Sequence, residues 1–279
     1  MVGIPRKRYL PALALILACA SDAGAQTQQA IKIDGSTGVA PLVSALAKAY
    51  QPKDPSVSIE IGNGLGTKAR IDALTAGSID IAMASHGLNV AQIKNEGMTV
   101  SAIARTPVVF AVNASVTGIP GLSDVEVCAI YSGERTNWKQ LGGPELAIAP
   151  RTRPDTEVDA EVARGGISCL KTLKMSEATR VMQRASDMAR ELVAISGAFG
   201  MTTLTVVEQS AGKVRALAIN GVVPDEPNTM SGRYSLTREA FLVSKGQPSP
   251  AVAKFLEFAR SAEGAAVIKA NGAIPITTR

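Results

Sequence analysis

Apolar positions along the chain switch repeatedly between a two-residue and a three-to-four-residue period. Ile31 and Ile33 alternate with polar neighbours, and Val57 to Ile61 does the same, as half-buried strands do. After the first of these, Val39, Leu42, Val43, Leu46, Ala47 and Tyr50 recur at helical spacing, which predicts a helix starting near Thr37 or Gly38. A helix-like segment from about Lys68 to Ala76, a short apolar strand from Ile79 to Ala84, a helix over Val90 to Asn95 and a buried strand over Pro107 to Val112 follow. In the middle of the chain Leu122 to Tyr131 and Thr136 to Leu141 read as helical, and Ala147 to Ala149 as a strand. Helical spacing resumes from Thr156. Phe199 to Val207, Val214 to Ala218 and Leu236 to Val243 read as strands, with Asp225 to Gly232 as a polar, proline-containing loop. Pro250 to Lys269 reads as one amphipathic helix with Val252, Phe255, Leu256 and Ala259 on one face. This alternation of strands and helices predicts α/β architecture. No internal repeat, low-complexity tract or long linker interrupts it.

The turns between these elements carry the candidate chemistry. Asp34-Gly35-Ser36-Thr37-Gly38 joins a strand to a helix whose first N–H groups lack intrahelical acceptors and carry partial positive charge. Ser36 and Thr37 are ordinary N-cap residues, or they converge with those N–H groups on an anion. The pattern recurs. Gly62 to Thr67 is a second strand-to-helix turn whose glycines permit close backbone approach, Ser85 ends a strand, and Arg151 to Thr156 brings two guanidinium groups and a hydroxyl to a further helix start. Four polar turns after four strands resemble the crevice at the carboxyl ends of α/β sheets.

Composition narrows the class. The 279 residues suit one large or two medium domains, and 19% charged residues with 46% hydrophobic ones is a globular balance. Arg6, Lys7 and Arg8, the apolar run Leu10 to Ala20, and Ala23-Gly24-Ala25 before Gln26 together form a signal-peptide pattern over residues 1–25. Lipoprotein processing at Cys19 is the competing reading of the same stretch. Cleavage would lower the net charge from +5 to +3, a mild excess that suits a small anion and excludes a nucleic-acid footprint. Cys128 and Cys169 remain, free to pair in an oxidising compartment or to stay buried thiols. With those two and His86 as the whole supply of soft ligands, no metal site or other cofactor is expected.

The motifs together resemble the phosphate-binding proteins of bacterial ABC transporters, a branch of the type II periplasmic binding proteins. DGSTGVAPLVSALAKAY is similar to the family's first strand and Gly-Ser-Thr helix start. GNGLGTKARIDALTAGSIDIAMASHGL is similar to its Gly-rich turn and "AS" segment, and IYSGERTNWKQLGG to its most distinctive stretch, with Gly133, Thr136, Asn137 and Trp138 in place. GAFGMTTL, VRALAINGVVP and the run from Gly232 to Ile268 extend the resemblance over nearly all of residues 30–276. It implies a two-lobe periplasmic-binding-protein type II fold, each lobe a mixed sheet flanked by helices, joined by two hinge crossings. The lobes would be residues 26–112 plus 233–279, and 113–232. It further implies a tetrahedral oxyanion held between lobes by Ser36, Thr37, Thr67 and Ser85 on one side, and by Arg151 and Thr156 on the other. Trp138 reads as packing.

Two departures stand out. His86 occupies a position where the family commonly has Asp or Arg, which makes it either a ligand contact or an exposed loop residue. Arg153-Pro154-Asp155-Thr156 replaces a Gly-Ser-Gly-Thr turn, removing close backbone approach and one donor, so that Arg153 or Asp155 could recruit a different anion. The reading is an exported, periplasmic, monomeric binding protein that hands phosphate or a similar oxyanion to an ABC permease. Alternatives are the same fold serving a membrane sensor or adhesion, or a secreted phosphatase or esterase. The last is disfavoured because no G-x-S-x-G elbow or metal-ligand cluster is present.

Overall fold

The computed structural model describes residues 1–3, 28–85 and 88–276. The expected leader, with Cys19 and Ala23-Gly24-Ala25, and the candidate His86 lie outside the described residues. The chain opens with β1 (Gln29–Gly35), α1 (Ala40–Tyr50), β2 (Val57–Ile61), α2 (Thr67–Ala76), β3 (Ile81–Ala84), α3 (Val90–Asn95) and the long β4 (Met98–Asn113). It continues through β5 (Gly121–Leu122), α4 (Asp124–Ser132), a 3₁₀ turn at Trp138–Leu141, β6 (Ala149–Thr152), α5 (Val158–Gly166), a second 3₁₀ turn at Ser168–Lys171, β7 (Arg180–Val181) and α6 (Ala185–Ala194). Next come β8 (Ala198–Thr203), α7 (Leu204–Gln209), β9 (Val214–Ala216), β10 (Ala218–Ile219) and α8 (Glu226–Met230). The chain closes with β11 (Thr237–Lys245), α9 (Pro250–Arg260), α10 (Ala262–Ala270) and β12 (Ile274–Pro275).

The main sheet runs β2-β1-β3-β11-β4-β8-β6-β7. β1 is parallel to β2 and β3, β11 is antiparallel to β3 and β4, and β8 pairs antiparallel with β4 but parallel with β6. Among the described residues three apolar clusters pack on this sheet, a small one around Leu74, Ala84, Met98 and Val243 and two larger ones that divide β4 between them. Ile103 and Ala104 of β4 pack with Ile31, Leu46 and Phe255, whereas Val108 to Val112 of the same strand pack with Tyr131, Trp138 and Phe199. The chain crosses back at the start of β11, with Leu236 in the second core and Ala240 in the first. These two backbone crossings connect two lobes, and a cleft lies between them. Trp138 is fully buried in the second core, its indole N–H donating to the Gly197 carbonyl at 3.0 Å.

Several elements differ from what local patterning predicts. The apolar stretch after Phe199 leaves the sheet at Thr203, and Leu204–Gln209 turns into α7, burying Thr205 and Val206 on one side. The expected loop at 225–232 holds a short helix, because the Asp225 carboxylate accepts the Asn228 N–H at 2.8 Å and Pro227 fits the first turn. The expected single C-terminal helix breaks at Ser261, whose hydroxyl accepts the Gly264 N–H at 3.1 Å and donates to the Phe258 carbonyl at 2.8 Å. Gly264 fits there because a Cβ would come within 2.2 Å of that carbonyl. Cys128 and Cys169 are joined in a disulfide, Cα to Cα 6.4 Å, tying α4 to the second 3₁₀ turn. β6 begins and ends later than expected, which bears directly on the site.

Candidate functional site

The first wall of the cleft follows from how β1 ends. Gly35 takes φ +134°, and a side chain there would strike the Met83 carbonyl, which instead accepts the Ser36 N–H at 2.9 Å. The chain makes one further turn before α1 starts at Ala40 with Val39 as its N-cap, so no side chain caps this helix. Ser36 and Thr37 are thereby released from capping. Behind them the Asp34 carboxylate accepts the Gly35 N–H at 2.7 Å and the Gly64 N–H at 2.9 Å, holding the second Gly-rich turn beside the first. That turn ends in Gly66, which has no side chain with which to cap α2. The Arg70 N–H is the first of the helix to close on the Gly66 carbonyl, at 3.0 Å, which leaves the preceding N–H groups pointing out of the helix start.

The opposite wall is set by the register of β6. Because the strand extends through Thr152, Arg151 lies within it and is buried. Its Nε donates to Glu191 Oε2 at 2.9 Å and its Nη1 to the Pro150 carbonyl at 3.1 Å. Arg151 therefore does not line the cleft. Arg153, just past the strand, reaches across instead. Its Nη2 donates to Thr37 Oγ1 at 3.2 Å and to Glu157 Oε2 at 2.9 Å, while its Nη1 donates to the Met182 carbonyl at 2.6 Å. Its Nε, 3.9 Å from Asp159 Oδ2, is buried without a hydrogen-bond acceptor.

Asp159 pairs closely with Arg238, Oδ1 to Nη1 2.5 Å, both side chains only 2% exposed. The Arg238 guanidinium also donates to Ser36 Oγ at 2.9 Å and to Ser85 Oγ at 3.1 Å, and the Ser85 hydroxyl in turn donates to the Glu239 carbonyl at 2.6 Å. Gly38 lies flat against this guanidinium, where a Cβ would fall 2.0 Å from Nη1. Sequence reasoning did not single out Arg238. The available signal was a cation between Thr237 and Glu239, at the polar start of a strand that turns apolar from Ala240.

In front of this charged floor is a cleft of about 470 Å³. Ser36, Thr37, Thr67 and Arg70 line one side, and Thr156 and Glu157 the other. α5 begins at Val158, and its N-cap, Glu157, makes no side-chain capping bond, so uncapped helix starts from both lobes open into one space. Such starts attract negative charge. Arg70 is buried, with Nη2 donating to Thr67 Oγ1 at 3.3 Å and Nε without a partner. Burial, then the charge of Arg238, lowers its pKa, and Glu157 partly restores it. A guanidinium nonetheless stays protonated in proteins. Hydroxyls, backbone N–H groups and a cation thus face a common volume, with Glu157 and Glu161 on its rim.

Of the residues expected at the site, Ser36, Thr37, Thr67 and Thr156 come together around this cleft. Ser85 lies at its back holding Arg238, and Arg151 belongs to the second lobe's interior. Among the described residues no group of three or more His, Cys, Asp or Glu side chains could hold a metal ion. No helix among them is long and apolar enough to cross a membrane.

Comparison with known proteins adds independent observations. The family model described as a PBP superfamily domain matches residues 20–263. The phosphate-binding protein PstS of Bacillus subtilis is 26% identical over 255 residues, covering 88% of this chain and 81% of the relative. A crystal structure of a putative phosphate ABC transporter substrate-binding protein from Clostridium perfringens, with bound phosphate, superposes with a TM-score of 0.71 at 26% identity, covering 89% of this chain and 100% of that one. An ABC-type phosphate transport receptor from Vibrio cholerae superposes with a TM-score of 0.58 at 25% identity, covering 88% and 99%.

Proposed function

This chain belongs to the PBP superfamily and has the mixed α/β type II periplasmic-binding-protein fold, and from that premise we propose that it is an exported solute-binding protein that captures a phosphate-class oxyanion between its lobes for delivery to an ABC permease. The observation that carries the reading is the convergence of two uncapped helix starts, α2 and α5, from opposite sides of the cleft, with the Ser36 and Thr37 hydroxyls and Arg70 between them. Two opposed positive helix ends favour one negative charge held by both lobes, so binding stabilises the closed arrangement. The relatives point the same way: those compared above are binding proteins named for phosphate, and none is named as an enzyme. In this reading Arg238 and Arg153 lie behind the anion, orienting Ser36 and Thr37 so that each hydroxyl directs its proton toward the ligand.

Calorimetric titration of ligand-free protein with phosphate at pH 7, with sulfate as the control, tests the reading. Micromolar or tighter phosphate binding, about 8 kcal/mol of free energy, is expected. An absence of heat with both anions, and no hydrolysis of model phosphate esters, would leave the fold intact and remove the oxyanion assignment.

A further inference from the structure

A second cavity adjoins the first. It measures about 680 Å³ and shares Thr37, Asn63, Gly64 and Arg184 with the polar cleft, so the two are contiguous compartments of one interlobe space. Its chemistry differs. The walls are largely apolar, built from Ala40 and Pro41 at the start of α1, Ile61 at the end of β2, Ala189 and Val193 on α6, and Val206 on α7. Ser44, Ser186, Ser210, Arg184 and Arg190 also line it, but an inorganic anion gains nothing from the apolar surface that predominates, because desolvation there costs it hydration without giving hydrogen bonds in return.

The apolar chamber is bounded by contacts that already span the lobes. On one side Arg153 reaches Thr37 across the cleft at 3.2 Å. On the other, the Gln209 amide of α7 donates to the Pro41 carbonyl at 3.1 Å and to Asn271 Oδ1 at 2.8 Å. The chamber persists between these two cross-lobe ties, so it is not simply a gap left by lobes standing apart. Its volume falls in the range of sites that enclose drug-sized molecules. Thr37, one of the residues the two compartments share, is held from the opposite lobe by Arg153.

We propose that the natural ligand is an organic phosphate or phosphonate, its anionic head in the polar compartment and a compact apolar body in the chamber between α1 and α6. This rests on the oxyanion reading and narrows it from an inorganic ion to an esterified or carbon-linked one. Burial of an apolar body in a preformed chamber adds affinity that the head alone lacks.

The probes are inorganic phosphate, phenylphosphonate and benzoate, titrated calorimetrically into the wild-type protein and into Ala189→Trp, a bulky change on α6 at a position that lines the chamber and not the polar compartment. Phenylphosphonate is expected to bind at least tenfold more tightly than phosphate to the wild type. Ala189→Trp is expected to lose that advantage while its phosphate affinity stays within twofold. Should the tryptophan variant fail to fold, the smaller Ala189→Leu and the wild-type ratio carry the same comparison. Phosphate binding with no preference for phenylphosphonate overturns this inference and leaves the oxyanion reading standing. Equal weakening of all ligands by the Ala189 variants together with no wild-type preference does the same, whereas benzoate binding without either phosphorus ligand overturns both.

Discussion

The carboxylate of Asp159, on α5, lies 2.5 Å from the guanidinium of Arg238, on the strand that returns to the first lobe, and both side chains are almost completely buried. Arg238 also donates to Ser36 and Ser85, so one buried ion pair stands behind the cleft and fixes the orientation of the Ser36 hydroxyl on its wall and of Ser85 at its back.

Removing one partner of such a pair strands a buried charge. Asp159→Asn is expected to lower stability by roughly 3–5 kcal/mol, read as a shift in the urea midpoint with an unchanged slope. A loss under about 1 kcal/mol would mean that the pair behaves like an exposed one.

Arg151, inside β6, is expected to matter to stability and not to binding. Arg151→Lys breaks the contact with Glu191 inside the second lobe and is expected to leave anion affinity within about twofold. Thr37→Val and Ser36→Ala each remove a hydroxyl from the cleft wall and are expected to weaken oxyanion binding about tenfold or more, as loss of a hydrogen bond to a charged partner does. Parallel titrations of the three variants check this, and equal effects on binding would contradict the placement of Arg151.

The disulfide between Cys128 and Cys169 closes a loop with a sequence separation of 41. Neither residue lines the cleft. The double variant Cys128→Ala/Cys169→Ala is expected to lose about 2–4 kcal/mol of stability and to bind as the parent does. Thermal melts with and without reductant provide the check, since only the parent should respond.

Two phenols are buried and satisfied by backbone. Tyr131 donates to the Arg151 carbonyl at 2.8 Å and Tyr234 to the Val108 carbonyl at 2.7 Å, and burial raises both pKa values well above the usual tyrosine range. A raised folded-state pKa means that the unfolded chain holds fewer protons above about pH 10, so stability is full below that pH and falls as pH rises. The slope approaches about 1.4 kcal/mol per pH unit for each phenol. Tyrosinate absorbance for these residues should appear together with the loss of far-ultraviolet circular dichroism. Normal ionisation near pH 10 in a still-folded protein would show that they are not sealed.

The order of elements was legible in the sequence because it is written in short-range periodicity. Alternation at Ile31 and Ile33 and helical spacing from Val39 to Tyr50 both act between near neighbours. For the same reason Ser36, Thr37, Thr67 and Thr156 could be named: each follows a strand or precedes a helix start, where donors stand unpaired. What the local pattern could not decide was register and partnership. The same arginine-rich turn reads equally well with Arg151 or Arg153 at its mouth, and only the pairing of β6 with β8, through Arg151 and Gly200, draws Arg151 into the sheet. Likewise the fate of Leu204–Gln209 depends on leaving the sheet at Thr203 to pack, and Arg238 meets Asp159 across 79 residues of sequence. These outcomes belong to tertiary structure because the energy that selects them, burial and compensation of charge, comes from groups far apart in the chain and brought together only by the fold.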